Sequence, residues 1–423
     1  MAHIRPFRGL RYAAADLVPL VAPPYDVLSP EERDELASRS AHNVVHLTLP
    51  EQKEDDRSKF VKYQRSNAAL VNWRNEGALR LEEDPAFYRY TQVFSIPGHP
   101  GRISRTSVIA LIKTEPYEKG VVLPHEQTFP KHKADRLLIL ETTRAHLECI
   151  YGLFEDPDGS VLGLIQSAPT TSEIAVTTDD GVEHLLEPIT DPTACRQIAA
   201  AMEDKKVWIA DGHHRYETAR QHRENQGDAD GLISEDFMMM ALSSMSDPGL
   251  VLLPTHRILS EMSVSPDHLD NLLQSKFNIR KAGNGMLMGE ISRLMANDTR
   301  AFGIALPGGV GLIATMEEPE AALKWINSDD SHDLKMLDVT ILHRVIFEEL
   351  LGIKGLDTIS YTRDPQEAVE AVKNGAAAAF LMNPPTVDDM KRIAIGGEKM
   401  PQKSTYYYPK ILSGLVIWSL NDF

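Results

Sequence analysis

The fold class predicted by the sequence is mixed α/β. Three observations predict it: short apolar runs bounded by Gly and Pro, amphipathic stretches of helical period, and cap signals where the two meet. With 423 residues the chain exceeds what one core commonly supports, so two or three domains are expected. Hydrophobic residues make up 42% and charged residues 25%, ordinary proportions for a protein with a buried core.

A first α/β region is read over 1–114. It opens with Val21-Ala22-Pro23-Pro24-Tyr25-Asp26-Val27, which two prolines hold extended or turned. Ser29-Pro30-Glu31-Glu32 has the cap, the first-turn proline and the acid three residues on that start a helix. A longer helix is predicted over Asp56–Glu76, with Phe60, Tyr63, Leu70 and Val71 apolar and Gly77 as its stop. Phe87–Phe94 and Ser104–Lys113 read as strands of a hairpin around Pro97-Gly98-His99-Pro100-Gly101.

The core region, 115–262, holds the loop Pro124-His125-Glu126-Gln127-Thr128 and a basic stretch with Lys131, Lys133 and Arg136. A helix near Arg136–Cys149 follows, then the strand–turn–helix described below, an apolar run Phe237–Met245 and a strand over Leu250–Arg257. In the C-terminal region, 263–423, Phe302–Leu306 and Val310–Met316 flank Pro307-Gly308-Gly309 as a second hairpin. Leu334, Leu337, Ile341, Leu342, Val345, Ile346 and Leu350 trace a helical face closed by Gly352. Glu367–Asn374 reads as a helix stopped at Gly375, leading into a strand at Ala377–Met382.

Charge narrows the function classes. Lys and Arg total 44 against 61 Asp and Glu, a net of −17, which repels a nucleic-acid backbone and leaves small anions to local clusters. The two cysteines form no CxxC pair, the first residues carry no apolar signal core, and the longest apolar run is far short of a membrane span. A cytoplasmic protein without a membrane partner is expected.

Reactive side chains concentrate in Val207-Trp208-Ile209-Ala210-Asp211-Gly212-His213-His214-Arg215-Tyr216, read as strand, sharp turn and helix start. A helix start offers unpaired N–H groups and a positive dipole end, and so suits an anion. Arg215 adds a planar, permanently charged fork and is the best phosphate contact. Gly212 permits close backbone approach or a positive φ. Asp211, projecting from the strand end, suits a general base or a metal-ion ligand. His213 and His214 lie about 100° apart on a helix, so one is expected to face the ligand while the other packs. The plainer alternative makes Asp211 a helix cap and both histidines structural.

Glu126 is a candidate base if the fold brings it to Asp211, and otherwise a loop carboxylate. One of Lys131, Lys133 and Arg136 is a candidate for offsetting phosphate charge, Arg136 being the one kept, with a solvated face as the alternative. Lys403-Ser404-Thr405 has the look of a phosphate loop, yet Gln402 and Glu398 stand where that loop needs glycines. Lys403 and Ser404 are kept as phosphate contacts, with an ordinary turn as the alternative. Gly309-Val310-Gly311 lacks the rest of a dinucleotide fingerprint, and no HExxH, GxSxG or zinc spacing occurs.

Taken together, Ala210-Asp211-Gly212-His213-His214-Arg215-Tyr216-Glu217-Thr218-Ala219 resembles the hallmark of the prokaryotic domain-of-unknown-function-1015 family. The resemblance extends through Pro24-Tyr25-Asp26-Val27, Pro124-His125-Glu126, Leu253-Pro254-Thr255-His256-Arg257, Leu337-Asp338-Val339 and Met400-Pro401-Gln402-Lys403-Ser404-Thr405-Tyr406, nearly the whole chain. More distantly, Gly212-His213-His214-Arg215 resembles the nucleotide-binding turn of the ParB/sulfiredoxin superfamily, which includes kinases of free serine. That resemblance implies a ParB/sulfiredoxin-like nucleotide-binding core, Asp211 and Glu126 in phosphoryl transfer, and ATP or ADP with Mg²⁺. His213 stands where sulfiredoxin has cysteine, which argues against sulfinic-acid reduction, and no basic DNA-reading helix is recognisable.

The expected function is phosphotransfer from a nucleotide to a small, serine-like hydroxyl metabolite. The same residues would serve a phosphate-ester hydrolase using His213 or His214, or a non-catalytic nucleotide-binding regulator. Subunit number is left open, an oligomer included.

Overall fold

Strands from both sides of residue 114 join one mixed sheet of nine: β1 Ile4–Arg5, β2 Phe87–Phe94, β3 Ile103–Lys113, β4 Val122–Leu123, β5 Ile150–Phe154, β6 Ile174–Thr177, β7 Glu183–Ile189, β8 Val207–Asp211 and β9 Phe237–Ser244. Their spatial order is β4-β8-β5-β9-β3-β2-β7-β6, with β1 beside β3. This computed structural model describes residues 1–423 except 97–99, 127, 129, 298, 317, 319, 356–357 and 402, and except the side chains of 130–132 and 267. Two compact units emerge, one of 1–124, 128–251 and 409–423, the other of 125–127 and 252–408.

In the first unit β9 lies between β5 and β3 and is buried along its whole length. A strand covered on both faces has no polar alternation, which is why Phe237–Ser244 reads as a continuous apolar run. β2 and β3 pair antiparallel from Tyr88↔Ile109 to Phe94↔Ile103, the expected hairpin, whose tip at 97–99 lies outside the described residues. Gly152 in β5 lets its neighbours close over it: a Cβ there would sit 2.5 Å from Met240 Sδ and 2.9 Å from Val207 Cγ1.

The helices of this unit are α1 Pro30–Arg39, α2 Val61–Asn75, α3 Pro130–Thr143 and α4 His213–Asn225, among shorter ones. α1 starts with a reciprocal cap: Glu32 N–H donates to Ser29 Oγ at 3.2 Å and Ser29 N–H to Glu32 Oε2 at 2.8 Å. α2 buries Tyr63, Leu70 and Trp73, whereas Phe60 and Val71, expected on its apolar face, are exposed. Phe60 precedes the helix, and Val71 is turned about 100° from Leu70. α3 begins earlier than expected and stops at Thr143, because Arg144 takes a left-handed φ of 48° and Ala145–His146 then pair with Trp418–Ser419.

The second unit is built on a six-stranded antiparallel sheet of β10 His256–Leu259, β11 Asn278–Gly283, β12 Ala301–Ala305, β13 Val310–Thr315, β14 Ile359–Thr362 and β15 Ala378–Leu381, ordered β11-β13-β12-β15-β10-β14. With it come α5 Leu287–Met295, α6 His332–Lys335, α7 Asp338–Ile341, α8 Pro365–Lys373 and α9 Val387–Ile395. Leu287 and Ile291 of α5 and Ala368 and Val372 of α8 form a core with Ile258, Ile313 and Leu381. The strand expected over Leu250–Arg257 is divided, since Pro254, having no N–H, interrupts the pairing before β10. The helical face from Leu334 to Leu350 is likewise broken: Leu337 is extended (φ −66°, ψ 135°), and Leu342–Leu350 continues as a π-helix. Among the described residues no helix is long and apolar enough to cross a membrane.

Gly152→Ala is expected to cost about 1–3 kcal/mol through overpacking, read as a lower urea midpoint with the far-UV spectrum retained. Gly163→Ala, in a helix with open space around the new methyl, should leave the midpoint unchanged or raise it.

Candidate active site

β8 is apolar because it runs inside the sheet, and Val207, Trp208, Ile209 and Ala210 are all buried. Its pairing with β5 slips between Ile209 and Asp211, and such an irregularity re-aims the side chain that ends the strand. Gly212 then turns the chain with φ 93° and ψ 28° and is itself the N-cap of α4, which has no side-chain cap. Asp211 therefore does not cap the helix. A Cβ on Gly212 would lie 2.6 Å from Ile150 Cγ2 and 3.1 Å from Arg215 Nη2, so glycine is required for both space and conformation.

Asp211 Oδ2 accepts a hydrogen bond from Lys410 Nζ at 2.8 Å, with side-chain exposures of 18% and 14%. Burial alone would raise the Asp211 pKa. Lys410 and then Arg215 outweigh it and hold the carboxyl well below its usual range. Arg215 donates from Nη1 to the Cys149 carbonyl at 2.7 Å, while its buried Nε has no partner among the described residues. Among the described residues no carboxylate forms an ion pair with it. Burial opposes its charge, yet Glu148, Asp26 and Asp211 act through space to keep its pKa above the ordinary arginine value. The Glu148 carboxylate is buried and occupied by the Tyr25 N–H at 3.0 Å and the Ser413 hydroxyl at 3.1 Å.

The Tyr25 ring lies 4.0 Å from the Arg136 guanidinium carbon and 5.8 Å from that of Arg215, within cation–π reach of both. Arg136 is otherwise committed to the Thr48 carbonyl at 2.7 Å and to Asp135 at 2.5 Å. A cavity of about 50 Å³ is lined by Thr48, Arg136, Glu148, Arg215 and Thr218 among others. Among the described residues neither threonine hydroxyl there has a hydrogen-bond partner, nor does Arg215 Nε. His213 is buried and His214 half-buried.

The structure thus brings Asp211, Gly212, His213, His214, Arg215 and Arg136 into one neighbourhood of the first unit. Glu126, Lys403 and Ser404 form a second group, in the second unit. Glu126 Oε1 accepts from the Lys403 N–H at 3.0 Å and Arg257 Nη2 donates to the Lys403 carbonyl at 3.1 Å. Lys403 is thereby pinned on both sides with φ 55°, its side chain exposed, and Ser404 Oγ donates to the Pro401 carbonyl. Lys410, Glu148 and Tyr25 went unassigned in the sequence reading. The Pro-Pro-Tyr-Asp turn and the lysine after Tyr-Pro are visible in the chain, but nothing local ties them to Asp211.

Lys410→Met leaves the partly buried Asp211 without its lysine partner and is expected to cost about 1–3 kcal/mol at pH 7. A depressed carboxyl pKa stabilises above the unfolded value, about 3.9, and that stability is lost as the pH falls through the folded value. Urea denaturation should therefore show the gap between Lys410→Met and wild type narrowing below about pH 4.

Among curated proteins none matches the sequence. Of solved structures, a conserved hypothetical protein from Pyrococcus furiosus aligns with TM-score 0.36 and 12% identity over 74% of this chain and 97% of its own. A free serine kinase mutant in complex with ADP aligns with TM-score 0.37 and 12% identity over 78% of this chain and 100% of its own. SbnI from Staphylococcus aureus, truncated at its C-terminus, aligns with TM-score 0.36 and 8% identity over 73% and 86%. The model of the family described as "Protein of unknown function (DUF1015)" matches residues 4–340, and the chain belongs to that family.

Proposed function

We propose that the protein transfers a phosphoryl group from ATP or ADP to a small, serine-like hydroxyl metabolite, with the 211–215 turn holding the phosphates. One observation carries this reading: a helix start without a side-chain cap and an arginine that, among the described residues, has no ion-pair partner meet beside Gly212. The positive end of a helix dipole and a guanidinium fork are what a phosphate is attracted to. Lys410, held by Asp211, is a further cation at the same turn. Phosphoryl transfer asks for positioning and charge neutralisation rather than a covalent nucleophile, which suits this set.

Among the described residues no three His, Cys, Asp or Glu side chains are gathered to hold a metal. Magnesium carried by a nucleotide needs only one or two carboxylates, and Asp211 supplies one at the turn. When bound, the ion would neutralise charge on the transferring phosphoryl group. Proton acceptance from the substrate hydroxyl is assigned to Glu126 on the resemblance alone. The reading also places the protein in the cytoplasm, where its two buried cysteines, free of any disulfide, stay reduced.

The test is phosphorus NMR of the purified chain with ATP or ADP, Mg²⁺ and a panel of hydroxy amino acids. A new phosphoester signal is expected. Arg215→Ala should raise the nucleotide KM on the order of tenfold, whereas Asp211→Asn and Glu126→Gln should lower kcat about 10²-fold or more with nucleotide still bound. Absence of nucleotide binding, or wild-type turnover in all three variants, contradicts the proposal.

A further inference from the structure

We infer that the second unit carries a binding site for a nucleoside, resting on none of the residues assigned to the 211–215 turn. β12 and β15 are antiparallel with Gly303 opposite Leu381, so Arg300, just before β12, and Met382-Asn383-Pro384-Pro385, just after β15, emerge at the same end of the sheet. There α6, α7 and α9 complete the wall of a cavity of about 430 Å³, a size in the range of small-molecule sites.

Charge selects the class of ligand. Arg300 is engaged by Asp338 and the Met336 carbonyl. Arg392 is engaged by Asp389 at 2.6 Å and Asp333 at 3.4 Å. With Glu320, the lining sets two arginines against four carboxylates, so an anionic ligand meets excess negative charge. The α9 start offers no substitute, because Thr386 and Asp389 already cap it.

The remaining features describe a ring with a polar edge. Asn383 is 4% exposed and lines the cavity, and among the described residues no hydrogen bond reaches its amide. A carboxamide presents a donor and an acceptor side by side, the pattern that pairs with the edge of a nucleobase. Met336, Met382, Pro384 and Pro385 form the apolar part of the wall, and thioethers pack well against an aromatic ring. Rim carboxylates accept from ribose hydroxyls. A free sugar leaves the thioether and prolyl wall unused and a diamine leaves the amide unused, whereas a nucleoside engages all three features.

The experiment is a titration of the full chain, labelled at its methionine methyl groups, with adenosine, guanosine, cytidine and uridine. The Met336 and Met382 signals are assigned with Met336→Leu and Met382→Leu. Saturable shifts of both signals are expected with at least one nucleoside. Asn383→Asp, close in shape, should weaken that binding at least about tenfold, and the corresponding monophosphate should bind this site about tenfold more weakly than the nucleoside. Should Asn383→Asp fold poorly by far-UV circular dichroism, Met336→Trp, which fills the cavity from its rim, should abolish the Met382 shift. Arg215→Ala should leave the titration unchanged, so failure of the phosphate-site reading and failure of this one are separable. No shift with any nucleoside, equal binding of the monophosphate, unchanged binding in Asn383→Asp or Met336→Trp, or a shift produced only by ribose or a diamine overturns the inference.

Discussion

The left-handed turn at Gly212 is the constraint on which the phosphate site depends. It lets a buried strand hand over to a helix within one residue and leaves that helix without a side-chain cap. It also leaves room for the Arg215 guanidinium to fold back beside the backbone. Any Cβ at this position meets Ile150 on one side and Arg215 on the other. The missing side-chain cap and the placement of the guanidinium follow from that one conformational requirement.

Charge around the turn is arranged so that Arg215 keeps its proton without being neutralised by contact. Glu148 and Asp26 raise its pKa through space, and Glu148 is itself occupied by Tyr25 and Ser413. Asp211 is balanced by Lys410, whose backbone is fixed in turn. The fully buried Arg105 donates to the Pro409 carbonyl at 2.5 Å, and Gln92 Nε2 donates to the Lys410 carbonyl at 2.9 Å. The C-terminal segment 409–423 is thus part of the first unit's chemistry as well as of its packing. Among the described residues the buried Nε of Arg215 has no hydrogen-bond partner.

What could be read from the chain divides along the range of the interactions involved. The strand, turn and helix at 207–225 were legible because apolar run, Asp-Gly and helix start are adjacent in sequence, and so was the reciprocal cap of Ser29 and Glu32. The hairpin of β2 and β3 showed through two strand-like runs on either side of the Pro- and Gly-rich 97–101. Lys410 and Glu148 were not legible, since they meet Asp211 and Tyr25 across more than a hundred residues with no local signal. The break at Leu337 and the π-helix after it were hidden because the apolar residues keep a helical period through a change of backbone geometry. Arg144 ended α3 early through a left-handed φ that nothing in its side chain announces. Nothing adjacent to Asn383 in the chain marks a cavity, which arises only because β12 begins and β15 ends at the same end of the sheet.

The central claim is that the 211–215 turn receives phosphate oxygens. A crystal structure with a non-hydrolysable ATP analogue and Mg²⁺ tests it most directly. Phosphate density within hydrogen-bond distance of the α4 backbone N–H groups and of the Arg215 guanidinium is the predicted result. Phosphates bound elsewhere, with Arg215 still resting on the Cys149 carbonyl and its Nε unengaged, would contradict the account.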